Sequence, residues 1–413
     1  MKRLLRGVQL LQAPGSALQR TDVLFDGGTL VAMGADAGAA AGAGTEEQQA
    51  PPQWLLAPML VDAHSHLEDL QQGSEDTLAS LSADALAAGY GTVALLPRAL
   101  SWRDRPERLS LQAPAGLKLL LWGALTTASA GEQLAPLGDL LSAGAIGLSD
   151  GESLPPLPLL ERVLQLGEAD GAPLLVAPRD LALTQGGFVR EGVDTLRLGW
   201  PADPYSSEVM PLHSLLALAQ RAANLRLMNL STAAAVELLQ AAAVKPAASV
   251  CWWHLLADHS GLDPSAEGWR LVPSLGGRHD RAALRDALRS GVLQAVAVHH
   301  SPIDHEDHLL PLDQRRPGVA GYQAVLPALF QSLVKGDGWQ LEELWQVLCW
   351  GPAAFLGLQP EVVEPGGCRW LLFDPDAPHQ PQRGSLAANQ PLATAQLQGQ
   401  VLATGPGGWI TER

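Results

Sequence analysis

The chain has 413 residues, of which 47% are hydrophobic and 17% charged, and it carries a formal net charge of -16. This composition excludes a disordered chain and allows one large globular domain or two. No basic patch stands out, which argues against a nucleic-acid partner, and no apolar run is long enough to span a bilayer. Cys251, Cys349 and Cys368 are far apart in sequence. They make neither a disulfide framework nor a metal-type pair, so a reducing cytoplasm is expected. The N-terminal stretch is basic and then mildly apolar, but Arg6, Gln9 and Gln12 interrupt it, so it is a poor signal peptide.

Residues 1–57 open with short strand-like pieces at Gly7–Leu11, Asp22–Phe25 and Leu30–Gly34. The Ala- and Gly-rich stretch from Ala35 to Pro52 reads as a flexible surface loop. From residue 58, apolar runs alternate with helical periods. The runs predict strands at Met59–Asp62, Thr92–Leu96, Leu117–Trp122, Ala145–Leu148, Pro173–Ala177, Leu225–Leu230, Ser249–Trp252 and Gln294–Val298. Helical periods fall at Leu78–Ala88, Leu157–Leu166, Met210–Ala223, Thr232–Ala243 and Arg281–Ser290. Runs that are apolar on both faces suit parallel strands covered by helices. Eight such units, with no glycine-rich phosphate loop after any strand, predict an α/β fold of the (β/α)8 TIM type across residues 58–358. Strand-like segments return at Arg369–Asp374 and Ala395–Ala403. Residues 1–57 and 359–413 are therefore expected to form a small sandwich-like β domain built from both chain ends.

In such a barrel the reactive groups sit at the C-terminal strand ends. The first strand runs into Asp62-Ala63-His64-Ser65-His66. In a strand, residues i and i+2 share a face, so His64 and His66 can address one metal ion. Asp62 lies on that face too and is placed to accept a hydrogen bond from a ligand histidine. The fourth strand ends at Ser149-Asp150-Gly151, which is also a good turn sequence. The eighth ends at His299-His300. His64, His66, Asp150 and His299 together offer three or four N/O ligands with an open position, a set that suits one Zn ion. Trp252 and Trp253, at the seventh strand end, are expected to plug the pocket. The other tryptophans read as core or interface anchors.

These residues resemble the amidohydrolase superfamily, and within it the dihydroorotases. The resemblance covers most of the chain. It rests on Asp62-Ala63-His64-Ser65-His66-Leu67, on Gly144 to Gly151, on Ser231-Thr232-Ala233-Ala234-Ala235-Val236-Glu237-Leu238, on Val298-His299-His300-Ser301-Pro302 and on Gly351-Pro352-Ala353-Ala354-Phe355-Leu356-Gly357-Leu358. Leu372-Phe373-Asp374-Pro375 matches the strand that returns to the β domain. The resemblance implies a metal-dependent hydrolase of cyclic amides that interconverts dihydroorotate and N-carbamoyl-aspartate in pyrimidine biosynthesis. By the same resemblance, Asp150 and His299 would be the catalytic positions.

The departures carry equal weight. The family's metal histidines of strands 5 and 6 fall on Ala177 and Asn229, so a binuclear centre is not expected and at most one Zn ion is. The strand 8 aspartate, the family's base, falls on His299, which can ligate a metal or act as a base. The arginine that grips the substrate carboxylate falls on Glu68, a reversal of charge. Two asparagines fall on Arg98 and Val272, and a histidine falls on Ile303, with His305 and His308 nearby. Arg98 and Arg179 are the candidate replacement cations. The expectation is a pseudoenzyme, or an enzyme of weak residual activity. Its alternatives are a non-catalytic structural partner of aspartate carbamoyltransferase and an amidohydrolase moved to another cyclic amide. A homo-oligomer is expected.

Overall fold

The computed structural model describes residues 2–409 apart from 70, 112–113, 168, 170, 223, 262, 264–267 and 383. Met1 and residues 410–413 of the expected end domain, and Ala223 of a predicted helix, lie outside the described residues.

Eight parallel strands form the barrel, in chain order Leu60–Ser65, Tyr90–Leu95, Lys118–Ala124, Gly147–Ser149, Leu174–Val176, Leu225–Leu227, Ala247–Cys251 and Ala295–Ala297. Each overlaps a predicted strand. The apolar runs that predicted them are buried on both faces, as in Leu60–Ser65 and Tyr90–Leu95. Each strand except the last pairs in parallel with the next in the chain. The first and last strands meet without a ladder between them. Val298 N–H donates to Asp62 Oδ1 at 2.9 Å, His300 N–H to Ser65 Oγ at 2.9 Å, and His66 N–H to the His300 carbonyl at 2.7 Å. Tyr322 Oη donates to Asp62 Oδ2 at 2.8 Å.

This closure corrects the expected role of Asp62. Its carboxylate is spent on Val298, Ser65 and Tyr322, not on a ligand histidine. The reason is a register shift between Asp62 and Ser65 in the pairing with the second strand. An irregularity of this kind breaks strict alternation.

Strands from both chain ends form a second eight-stranded sheet. Lys2–Leu10 pairs antiparallel with Gln19–Asp26 and parallel with Leu55–Pro58. Trp370–Pro378 pairs antiparallel with Leu55–Pro58 and with Gln398–Thr404. Its core holds Leu5, Val8, Phe25, Leu56, Trp370 and Leu372, with the Phe25 and Trp370 rings 4.3 Å apart.

The segment expected to be a loop, Ala35 to Pro52, is in large part regular. Ala35–Ala40 is a helix, which follows from the high helix propensity of alanine. Glu46–Gln49 is a strand parallel to Lys2–Leu10. Arg3 meets Glu46 at 2.9 Å and Arg6 meets Glu47 at 3.1 Å across that pair. Among the described residues, no helix is long and apolar enough to cross a membrane.

Candidate metal site

His64 and His66 leave the first strand beside His299, which follows the eighth. Both rings lie edge-on to His299 with centroids 5.1 Å away. His299 takes φ of +50°, in the left-handed region, where non-glycine residues are uncommon and often functional.

The carboxylate that joins them is Glu152, not Asp150. Glu152 Oε1 lies 3.1 Å from His299 Nε2 and 3.4 Å from His66 Nε2. One ligand atom from each of His66, Glu152 and His299 lies within 4.8 Å of the others. Asp150 faces elsewhere: it accepts Thr126 N–H at 2.9 Å and Thr126 Oγ1–H at 2.6 Å. The turn read in Ser149-Asp150-Gly151 explains the switch. Gly151 takes φ of +78°, the chain turns, and the next residue, Glu152, enters the site. The sequence signal was present in Asp150-Gly151-Glu152, a second carboxylate on the same turn.

His64 sits behind His299. Its Nδ1 is 3.1 Å from His299 Nδ1 and its Nε2 is 2.8 Å from Ser249 Oγ. Burial, with His299 and His66 as neighbours, pushes His64 well below its ordinary value, and burial also lowers His299. Both rings are therefore neutral near pH 7. Neutral rings share one proton per nitrogen pair, so the row Ser249–His64–His299 has two consistent settings. In one, His299 Nε2–H donates to Glu152. In the other, His299 Nδ1–H donates to His64, His64 Nε2–H donates to Ser249, and His299 Nε2 presents a lone pair beside Glu152.

The second setting is what a metal ligand requires, with its other ring N–H held by a partner. His66 Nε2 is buried without a hydrogen-bond partner, as an atom awaiting a cation would be. Burial would raise the Glu152 carboxyl, but the hydrogen bond to His299 and the nearness of His66 outweigh it and hold the group well below the usual range. Two imidazoles and an ionised carboxylate fit a divalent ion. His66, Glu152 and His299 would hold it, and His64 would orient His299.

The mouth of the site is a cleft of about 640 Å³ lined by His66, Glu152, Glu68, Arg98 and Arg316. Glu68 meets Arg316 at 3.1 Å and Arg98 at 3.6 Å, so the cation expected to serve an anionic substrate there is already paired. His305 and His308 stack on each other at 6.3 Å and take no part in the three-residue group. Trp252 and Trp253 do not plug the site: neither lines the clefts at Glu152. Instead they turn into a short helix, Trp252–Leu255, where Trp252 is fully buried and Trp253 Nε1–H donates to the Gly268 carbonyl at 2.8 Å.

A second, narrow cleft lies on the other side of Glu152, with Ala177, Arg179, Arg190, Glu208 and Asn229 among its walls. Arg190 is completely buried between Asp203 at 3.3 Å and Glu208 at 3.5 Å. Arg190 and Asp203 are register partners of two short parallel strands and Glu208 lies on the helix Ser206–Ala219, elements too short or too polar for the apolar-run signal to mark.

No family model matches the chain. It is similar to a protein of Synechocystis described as a probable dihydroorotase-like protein, 35% identical over an alignment of 390 residues that covers 84% of this chain and 87% of that one. It is similar also to the dihydroorotase of Pelotomaculum thermopropionicum, 28% identical over 99% of this chain and 98% of that one. Among solved structures, the L-hydantoinase (dihydropyrimidinase) of Arthrobacter aurescens shares the fold with a TM-score of 0.79, at 18% identity over 97% of this chain and 94% of that one. The chain belongs to the dihydroorotase-like proteins of the amidohydrolase superfamily.

Proposed function

We propose that the chain is a cyclic amidohydrolase homologue of pyrimidine biosynthesis that holds one zinc ion between His66, Glu152 and His299, with turnover of dihydroorotate weak or lost. The observation that carries this reading is the convergence of two histidines and Glu152 on one point at the mouth of the barrel. When bound, zinc supplies Lewis acidity toward an amide carbonyl. The protein's own part is to keep Glu152 ionised, to hold His299 through His64 and Ser249, and to admit a ring through the cleft of Glu68, Arg98 and Arg316. The residue at the base position, His299, is occupied with Glu152 and His64, so no free base stands over the ion. Loss of a general base costs about 10²–10⁴ in rate. A cytoplasmic location agrees with three free cysteines.

Elemental analysis beside a dihydroorotate turnover assay with added zinc tests the reading. About one zinc per chain is expected, lost in Glu152→Gln and in His66→Ala, with turnover at least about 100-fold below that of an ordinary family member. Zinc without any turnover would select a different cyclic amide. A chain that takes up no zinc would sink the metal reading.

The second reading, a non-catalytic partner of aspartate carbamoyltransferase, draws on one surface. Val193 and Leu196 on the helix Val193–Leu198 are 82% and 78% exposed, an apolar face that a partner would cover. Co-purification with aspartate carbamoyltransferase, lost in Leu196→Asp, is its expected outcome.

A further inference from the structure

We propose that Arg179 and Asn229 form a binding site for a small carboxylate, in the narrow cleft behind Glu152. The inference deepens the amidohydrolase reading and rests on it only for the source of the ligand. Both residues stand at barrel strand ends, Arg179 three residues past Leu174–Val176 and Asn229 two past Leu225–Leu227. The family resemblance puts the second metal's histidines at Ala177 and Asn229. Here the same corner carries a guanidinium and a carboxamide.

Three observations point to a ligand. Arg179 is only 7% exposed, yet its Nε and Nη1 have no hydrogen-bond partner. Asn229 is 4% exposed, and both its Oδ1 and Nδ2 are without partners. Buried polar groups are nearly always satisfied, so several unmet in one cleft call for an absent partner. Asn229 also takes φ of +52°, a strained setting for a side chain that the fold itself does not use. Its backbone N–H is held by Ser249 Oγ at 3.0 Å, the same hydroxyl that meets His64.

Arg179 shares its charge with Asp203, and Glu152 and Glu208 line the same cleft, but its Nε and Nη1 donors remain unmet. Its nearest carboxylate oxygen, Asp203 Oδ2, is 3.8 Å away and already accepts Ser274 Oγ–H at 2.7 Å. Asp203 Oδ1 accepts Ser207 Oγ–H at 2.6 Å and faces Arg190 at 3.3 Å. Arg190 also lacks a partner only at Nε, and its other nitrogens are engaged. Arg179 is thus the one lining cation whose donors are mostly unmet. The space between these groups admits about one water-sized group. Guanidinium donors with an amide N–H are the chemistry that recognises a carboxylate. The carboxylate is either a free small anion or the substituent of a larger ligand that enters past Glu152.

Calorimetric titration with formate and with N-carbamoyl-L-aspartate tests the site, with chloride at equal ionic strength as the control. Saturable binding of formate is expected for a free anion site, and of N-carbamoyl-L-aspartate alone for a substituent site. In either case Arg179→Met should weaken binding at least tenfold and Arg179→Lys should restore part of it. Asn229→Asp keeps a residue that tolerates the left-handed conformation but places a carboxylate in the cleft, so it should abolish binding. It decides the matter if Arg179→Met does not fold. No saturable binding of either compound, or binding that both Arg179→Met and Asn229→Asp leave unchanged, overturns the proposal. Zinc measured on the same samples separates the two ideas. Carboxylate binding without zinc removes the metal reading alone, and zinc without carboxylate binding removes this one alone.

Discussion

Asp150 and Glu152 lie two residues apart on one turn and face different partners. Asp150 gives both oxygens to Thr126, while Glu152 meets the histidines. The two substitutions should therefore separate. Asp150→Ala leaves Thr126 N–H and Oγ1–H unmet and should cost about 1–3 kcal/mol of stability with zinc content retained. Glu152→Gln should lose zinc with little change in the apo-protein's melting temperature. Zinc lost equally in both would place Asp150 among the ligands after all. Arg190 makes a sharper case. It stands wholly buried between two carboxylates, and removing one member of a buried ion group leaves the others uncompensated. Arg190→Met should destabilise by about 3–5 kcal/mol in urea unfolding, and a change under about 1 kcal/mol would mean that water already reaches Asp203 and Glu208.

At the scale of elements, local signals sufficed where burial is uniform along a segment. Leu157–Leu166 is a helix with the predicted bounds, and its buried positions Leu160 and Val163 follow the helical period. The Ala35 to Pro52 segment misled because composition alone was read there. Its strand Glu46–Gln49 is polar and mostly exposed; it pairs with Lys2–Leu10 and meets Arg3 and Arg6 of that strand with opposite charge. Nothing inside the segment announces that partner. The sheet from the chain ends depends instead on Trp370, which stacks near Phe25 and donates Nε1–H to the Gly28 carbonyl at 3.0 Å. Trp370→Ala should cost about 3–5 kcal/mol. Hydrogen exchange should rise first in Lys2–Leu10 and Gln19–Asp26, and equal acceleration in the barrel strands would mean that the two sheets unfold as one unit.

At the scale of the molecule, closure and the returning tail meet at one point. Buried Asp76 bonds His300 Nε2 at 3.1 Å and accepts Ser385 Oγ–H at 2.6 Å, linking the last barrel strand to the C-terminal segment. Burial would raise the Asp76 carboxyl, but His300, Ser385 and Ser80 outweigh it and leave the group lowered. A lowered folded-state value means that the stabilisation is present above the ordinary aspartate range, near pH 4, and is lost as pH falls through the depressed value. Asp76→Asn should flatten the acid limb of the stability profile below about pH 4 and leave a constant deficit above it. An unchanged acid limb would mean that other carboxylates set it.

The sequence by itself determined the barrel, the return of the chain ends as strands and the family. Those rest on short-range patterns: apolar runs buried on both faces, helical periods and contiguous motifs such as Asp62 to His66. It also placed His66 and His299 at strand ends, where the fold brings them within reach of Glu152. Only the tertiary structure decided the carboxylate, the role of His64 and the partners of Asp62. Glu152 replaces Asp150 through a turn at Gly151, His64 stands behind His299 rather than beside it, and Asp62 closes the barrel across a register shift. Each of these depends on where a side chain ends after a turn or a bulge, and on partners more than 100 residues away in the cases of His64 and Asp62. The unmet donors of Arg179 and Asn229 belong to the same class. Whether a buried polar atom has a partner is a property of the packed molecule, and no window of sequence contains it.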